Sequence, residues 1–256
     1  MNDKSVIHTF NNGVRVFESH LLDSQKERYA KSNVHEEDEE EIFIEIIRNL
    51  SPGDVFVNVG TAIGYYPILS KKIRNDIAVH CFEPLGRHLE YLRENMELNG
   101  FLVEDFSTHH LAVSHESGEV LFIDNSYGSS LVAKKPKFHI INFLRSFKQS
   151  LSGANVQQPV LHVKSIKLSQ IFQVIQSNCI KFLQMDIQGF ELPVLKKYFE
   201  DIGGAPSGIQ SFLVGTHSSD IHTSCLELFR QHQFDIIHDI PESLNQPDGI
   251  IYCKVK

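Results

Sequence analysis

The sequence predicts a doubly wound α/β fold on a mostly parallel sheet, and two observations carry that expectation. Between Val55 and Val214, short buried strand-like runs alternate with amphipathic helix-like segments, the pattern of βαβ crossovers covered on both faces. Three of the strand-like runs end in polar or turn-forming residues: Asn58-Val59-Gly60, Phe82-Glu83-Pro84 and Met185-Asp186. Ligands of open parallel sheets lie beyond the carboxyl ends of the strands, so these three endings are expected to share one crevice.

Residues 1–30 show no sustained period and are expected to pack on the main body as a short strand or hairpin around Asn12-Gly13. The acidic run Glu36–Glu41 precedes Ile42, Phe43, Ile46, Ile47 and Leu50, which form one apolar helical face. Asn33 with Glu36 reads as a capping box, and the carboxylates as a solvated helix start that suits the helix dipole. Ser51-Pro52-Gly53 ends that helix. Strand Val55–Val59 then leads to helix Ile63–Ile73, strand Ile77–Phe82 and helix Arg87–Asn99, closed by Gly100.

His109–Val113 and Val120–Ile123 follow as strands around the turn His115–Gly118. Residues 124–165 break the rhythm with a Ser/Gly loop, a helix Phe138–Phe147 and a strand Val160–Val163, and are expected to form an insertion or lid. The alternation resumes with helix Leu168–Gln176, strand Ile180–Met185, helix Phe190–Phe199, strand Phe212–Val214 and helix Ser219–His232. Phe234–Ile240 and Ile250–Lys254 flank a turn and are expected to pair antiparallel.

Composition narrows the function classes. A chain of 256 residues that is 41% hydrophobic can bury one large core, so residues 1–256 are expected to form a single domain with residues 1–50 as an N-terminal extension and helix. The formal charge is −8, from 24 Lys+Arg against 32 Asp+Glu, and no basic stripe offers a phosphate backbone a track. Nucleic acid is therefore not an expected partner. No apolar run approaches the ~18 residues of a membrane span, and the opening MNDKSVIHTF lacks the apolar core of a signal peptide, so no membrane association and a cytoplasmic location are expected. Cys81, Cys179, Cys225 and Cys253 form no CxxC pair and are expected to be reduced thiols.

Gly60 and Gly64, at the turn after a buried strand, are expected to leave room for a ligand at backbone N–H groups. Glu83 lies 23 positions after Gly60. That is about the ~20-residue spacing at which an acidic side chain grips a ribose diol. Asp186 is delivered to the same end of the sheet, and a helix-capping role is its structural alternative. His217-Ser-Ser-Asp220-Ile-His222 invites a metal reading, but its spacing is not that of one helical face, so no metal ligands are assigned. His109 and His110 are adjacent on a strand and point to opposite faces.

These residues together resemble the FkbM-type family of class I methyltransferases, which use S-adenosylmethionine (SAM). Asn58-Val59-Gly60-Thr-Ala-Ile-Gly64-Tyr65 stands where that family has Asp-Val-Gly-Ala-Asn-x-Gly. Glu83-Pro84, Asn95 with Asn99, Ala112-Val113 with Gly118, and Gly128-Ser129-Ser130-Leu131-Val132 match in order. Asp186, Gly189 and Glu191 match its Lys-x-Asp-x-Glu-Gly-x-Glu signature, and the likeness runs from about Glu36 to about His217. The resemblance implies a Rossmann-like fold with a seven-stranded sheet and an antiparallel C-terminal strand. It implies a cofactor site of Asn58, Gly60, Thr61, Gly64, Tyr65, Glu83, Pro84, Ala112 and Asp186. In it Gly60 and Gly64 line the methionine part, Glu83 holds the ribose, Ala112 borders adenine, and Asp186 stands near the methyl group.

Four positions depart from the family pattern: Asn58 replaces an Asp, Gln184 a Lys, Gln188 a Glu, and Gly215 the Glu of a Glu-x-His that ends at His217. The family implies O-methylation of a hydroxyl on a sugar-like or natural-product acceptor. His217 is the expected base and Asp186 the competing base or acceptor-orienting group. An N-methyltransferase and a SAM-binding or partner-binding protein without turnover are the alternatives. The acceptor, metal dependence and oligomeric state are not fixed by the sequence.

Overall fold

The computed structural model describes residues 5–123, 130–132, 160–205, 207–242 and 248–256. The chain enters through a hairpin, β1 (Ile7–Thr9) and β2 (Arg15–Phe17), followed by helices α1 (Asp23–Lys31) and α2 (Glu37–Arg48). Next come β3 (Val55–Val59), α3 (Tyr65–Ile73), β4 (Ala78–Phe82), α4 (Gly86–Leu98) and β5 (Ser107–His109). Strands β6 (Ala112–Ser114), β7 (Gly118–Ile123), β8 (Ser130–Val132) and β9 (Val160–Lys167) precede helix α5 (Ile171–Ile175). The remainder alternates as β10 (Phe182–Met185), α6 (Glu191–Ile202), β11 (Ser211–Thr216), α7 (Ser219–Gln231), β12 (Phe234–Ile240) and β13 (Gly249–Val255).

Seven strands form the central sheet in the order β12-β13-β11-β10-β3-β4-β5. Only β13 runs against its neighbours, which matches the expected antiparallel C-terminal strand. The strand order reverses between β3 and β10, and such a switch point opens a crevice at the carboxyl ends.

The period of two sorts the two central strands. Phe56 and Phe182 point to one face, where their rings stack at 5.0 Å and meet Phe43 of α2. That face is covered by Ile47, Ile68, Leu92 and Met96 from α2, α3 and α4. Val57, Val59, Leu183 and Met185 point to the other face and meet Val194, Leu195, Tyr198 and Phe229 of α6 and α7. Each fully buried Val, Leu or Phe contributes roughly 1.5–3 kcal/mol, so both layers are held firmly against the strands that carry the site. The same parity places Asn58 and Gln184 on the α2 side.

Three local expectations are corrected. His109–Val113 is not one strand: the Leu111 amide turns back to the His109 carbonyl at 2.9 Å, and β6 leaves to join a second sheet ordered β6-β9-β7-β8. Asn33 makes no capping box, because Glu36 is the N-cap of α2 without a side-chain bond, while Asn33 Nδ2 donates to the Thr9 carbonyl and Asn11 Oδ1. Helix α1 escapes sequence reading because Tyr29 is the one buried residue on an otherwise polar helix, which leaves no apolar period. The expected helix Phe138–Phe147 lies outside the described residues. Among the described residues no helix is long and apolar enough to cross a membrane.

Candidate functional site

The turn after β3 is shaped by close packing. Gly60 has φ +87°, and a Cβ there would overlap the carbonyl oxygen of Asp186, because β3 and β10 end side by side with Val59 opposite Met185. Gly64 (φ +86°) is the N-cap of α3, and the space its side chain would fill is taken by Leu92 of α4. The glycines therefore serve strand and helix approach first. Gly60 also borders the cleft, and Ile63 and Tyr65 line it on either side of Gly64.

The expected cofactor residues Asn58, Gly60, Thr61, Tyr65, Glu83, Pro84, Ala112 and Asp186 line one cleft at the switch point. Glu83 is only 4% exposed, and its carboxylate is fixed from three directions. Oε2 accepts from the Ala62 amide at 2.9 Å, and Oε1 accepts from the Leu85 amide at 2.9 Å and lies 3.3 Å from His88 Nδ1. Glu83 thus bridges the two strand-end turns as well as facing the cleft. Ala62 holds φ +48°, a region that L residues visit at a cost, so that its N–H can reach this carboxylate.

The acidic run at the start of α2 is solvated on one side only, at Glu37, Asp38 and Glu41. Glu39 and Glu40 are buried at 2% and 6% exposure, and Glu36 lines the cleft. These carboxylates continue the stripe of Phe43, Ile46 and Ile47 at helical spacing, a signal that was present in the sequence. Glu40 accepts from Tyr65 Oη and from Asn12 Nδ2, tying the hairpin to α3. Glu39 accepts from Gln184 Nε2, whose own Oε1 accepts from Asn58 Nδ2 at 3.1 Å. Burial, with Asp186 nearby, raises Glu36; burial, with Glu36 and Asp186, raises Glu39 well above the carboxylate range. Asn58 Oδ1, in contrast, is buried and without a partner among the described residues.

Gln25, Arg28 and His35 from the N-terminal segment complete the rim around this acidic wall. His35 sits among Phe10, Tyr65 and Tyr66, with Nδ1 2.6 Å from Tyr29 Oη. Burial lowers its pKa to about 3, so the ring is neutral. Neither Arg28 nor His35 was singled out in the sequence, since nothing local distinguishes them from surface residues.

Beneath the cleft lies His217, at the end of β11. Its Nδ1 is 3.0 Å from Glu191 Oε1, and its Nε2 is 3.3 Å from Asp186 Oδ1 and 3.6 Å from Asp248 Oδ1. Burial alone would lower this imidazole, but Glu191 and Asp186 outweigh it and hold it well above its ordinary pKa. Burial alone would raise Asp186, but His217 and the Gln188 amide, at 3.0 Å from Oδ1, keep it low. Asp248 is pushed up to about 6, mainly by burial. Glu191 is fully buried and caps its own turn by accepting from the Ile187 and Gly189 amides at 3.1 Å each.

The His217/His222 pairing does not form. His222 Nδ1 bonds Thr216 Oγ1 at 2.8 Å and its Nε2 meets Asp239 at 3.0 Å, while Asp220 is exposed. His109 stacks on Phe82 and contacts His80, whereas His110 meets the Pro84 carbonyl. All four cysteines are free, with only Cys179 exposed.

A doubly wound sheet with a carboxylate-lined cleft at its switch point defines a Rossmann-like α/β protein of the class I methyltransferase kind. The methyltransferase FkbM domain matches residues 54–240, and the chain belongs to that family; its cofactor is accordingly SAM. Solved structures similar to it include M. capricolum TrmK in complex with S-adenosyl-homocysteine (12% identity, 83% of this chain and 67% of that one, TM-score 0.44). Others are an rRNA methylase from Streptococcus thermophilus (8%, 84% and 95%, TM-score 0.48) and a precorrin-6y C5,15-methyltransferase from Geobacter metallireducens (10%, 84% and 86%, TM-score 0.44). No curated protein matches the chain in sequence.

Proposed function

We propose that this SAM-dependent methyltransferase acts on a hydroxyl group of a small sugar-like or natural-product acceptor. The observation that carries the reading is the meeting of Asn58, Gly60, Glu83 and Asp186 from three strand ends in one cleft. The nucleoside end of SAM fits the Glu83 and Ala112 side, where the fixed carboxylate can accept from ribose hydroxyls. Its amino-acid end fits the opposite wall: Asn58 Oδ1 and Glu36 can accept from the ammonium, and Arg28 can donate to the carboxylate.

Methyl transfer from a sulfonium is an in-line displacement, and alignment alone can supply about 7–11 kcal/mol of barrier reduction. Asp186 is the group suited to hold the acceptor. Its Oδ1 is engaged by His217 and Gln188, which leaves Oδ2 to accept the hydroxyl proton. His217, held as an imidazolium by its carboxylate neighbours, keeps Asp186 ionised and in place rather than serving as the first base.

The test is calorimetric titration with S-adenosylhomocysteine (SAH), followed by an SAH-release assay over hydroxyl, amine and RNA acceptors. Binding with turnover on hydroxyls is expected, and Asp186→Asn should lower kcat about 10²–10⁴-fold with SAH affinity little changed. Binding without turnover on any acceptor would favour a protein that has lost catalysis, and turnover on amines or RNA alone would refute the acceptor class.

A further inference from the structure

We propose that Glu36 and Glu39 share one proton in the free protein and release it when the ammonium group of SAM enters the cleft, so that cofactor binding is coupled to proton loss. The inference deepens the proposed function and rests on its placing of the amino-acid end of SAM against this wall. Glu36 is the N-cap of α2 and Glu39 lies three residues on, which puts both side chains on one face of the helix start. Their carboxyl groups are in hydrogen-bond contact. Two carboxylates have no hydrogen to place between them, so that contact requires a proton.

The surroundings supply few other donors. Tyr66 Oη donates to Glu36 Oε2 at 3.3 Å, and Gln184 Nε2 donates to Glu39 Oε1. Both donors are neutral, and among the described residues neither carboxyl makes an ion pair with Lys, Arg or His. Arg28 of α1 attracts Glu36 from a distance, whereas Asp186 after β10 repels both carboxyls and Asp248 before β13 repels Glu36. Tyr65 of α3 is engaged by Glu40, which turns toward it and Asn12, and His35 is neutral. The pair therefore faces more negative than positive charge, and the burial of Glu39 adds to the cost of a second ionisation. Carboxyl groups in such contact titrate as a unit, the first proton leaving readily and the second late.

A second observation points to the group that takes the proton's place. Asn58 is only 4% exposed, and its Oδ1 is an acceptor without a partner among the described residues. It lines the cleft together with Glu36. Asn58 Nδ2 donates to Gln184, which in turn donates to Glu39, so the unpartnered oxygen and the carboxyl pair belong to one hydrogen-bonded unit. An alkylammonium carries three N–H donors and one positive charge. It satisfies Asn58 Oδ1 and Glu36, and it replaces the shared proton as the charge that lets both glutamates ionise. The free protein then carries a proton that the complex lacks. Affinity for SAM accordingly rises with pH through the window in which the pair titrates, by at most about tenfold per pH unit for one proton.

The experiment is isothermal calorimetry of the full chain with SAH between pH 5 and 8, each pH in buffers of different ionisation heat, with 5′-methylthioadenosine as the ligand that lacks the ammonium. SAH should release close to one proton per chain at the pH of maximal release and bind more tightly as pH rises, and 5′-methylthioadenosine should release none. Glu39→Gln keeps a hydrogen-bond donor beside Glu36 at every pH and should abolish both the release and the pH dependence. In the unsubstituted chain labelled with 13C in its glutamate carboxyls, a carboxylic-acid infrared band should disappear when SAH is added, a readout that stands even where the variant fails to fold. SAH binding without proton release overturns the proposal and leaves the cofactor reading intact. So does a release that is undiminished in Glu39→Gln or equal with 5′-methylthioadenosine, and so does an infrared band that SAH leaves unchanged. Absence of SAH binding at every pH overturns both.

Discussion

Asn58 donates its side-chain amide to Gln184 at 3.1 Å across the β3–β10 ladder, where the two residues are register partners. Both are departures from the family pattern, an amide for an aspartate and an amide for a lysine. They are in contact as a buried, neutral hydrogen-bonded pair, extended to Glu39. Burying two charges is favourable only when each finds a partner, and neutral amides avoid that demand. Asn58→Asp alone should therefore destabilise by about 3–5 kcal/mol, since it leaves a carboxylate facing Gln184 and Glu39. Adding Gln184→Lys should recover more than half of that loss. Chemical denaturation of the two single variants and the double variant gives the coupling energy, and additive effects would rule the pairing out.

Gly60→Ala should be among the most damaging substitutions in the chain. The new Cβ overlaps backbone, which cannot move away without separating β3 from β10, and the residue must also hold a positive φ. Overpacking costs about 1–3 kcal/mol and the backbone conformation adds to it. At Gly64 the obstacle is the end of the Leu92 side chain, so Gly64→Ala with Leu92→Ala should lose less stability than the sum of the single changes. Thermal denaturation of the four proteins is the measurement, and simple additivity at Gly64 would show that Leu92 is not what it meets.

The amino-acid wall of the cleft can be separated from its nucleoside wall by choice of ligand. 5′-Methylthioadenosine carries the nucleoside and thioether of SAH but not its amino-acid group. Glu36→Gln and Arg28→Met should weaken SAH binding by roughly 1–3 kcal/mol, the range of a charge-assisted hydrogen bond, and leave 5′-methylthioadenosine unaffected. Glu83→Gln should weaken both ligands. Equal losses for the two ligands on changing Glu36 or Arg28 would move those residues away from the methionine end.

Apart from the split of β5 from β6, the described strands and helices from Val55 onward were legible because each buries a continuous face, and a period of 2 or 3.6 survives in the sequence whatever packs against it. The crevice was legible for the same reason: strand endings define where Gly60, Glu83 and Asp186 must meet. The inward turn of Glu36, Glu39 and Glu40 was written in the spacing too, but charge suggested solvent. Arg28 and Asp248 were beyond reach. Their positions depend on how a polar helix docks and on which residue of β13 faces Thr216, relations between distant segments that leave no local pattern.

His35 makes the docking of the N-terminal segment sensitive to acid. Its ring packs against Tyr65 at 4.3 Å and accepts or donates at Tyr29 Oη, and the folded chain lowers its pKa from 6.5 to about 3. Between those two values the unfolded chain binds a proton that the native chain refuses, so stability rises with pH across this window and is lost as pH falls through it. The slope from this one group is at most about 1.4 kcal/mol per pH unit. His35→Phe keeps an aromatic ring beside Phe10 and Tyr65 but removes the titration. Urea denaturation at pH 4, 5, 6 and 7 should therefore show the wild type losing stability toward acid more steeply than the variant, with other groups cancelling in the difference. Parallel curves would mean that the ring takes up its proton within the folded protein, and that His35 is hydrated rather than sealed between the hairpin and α3.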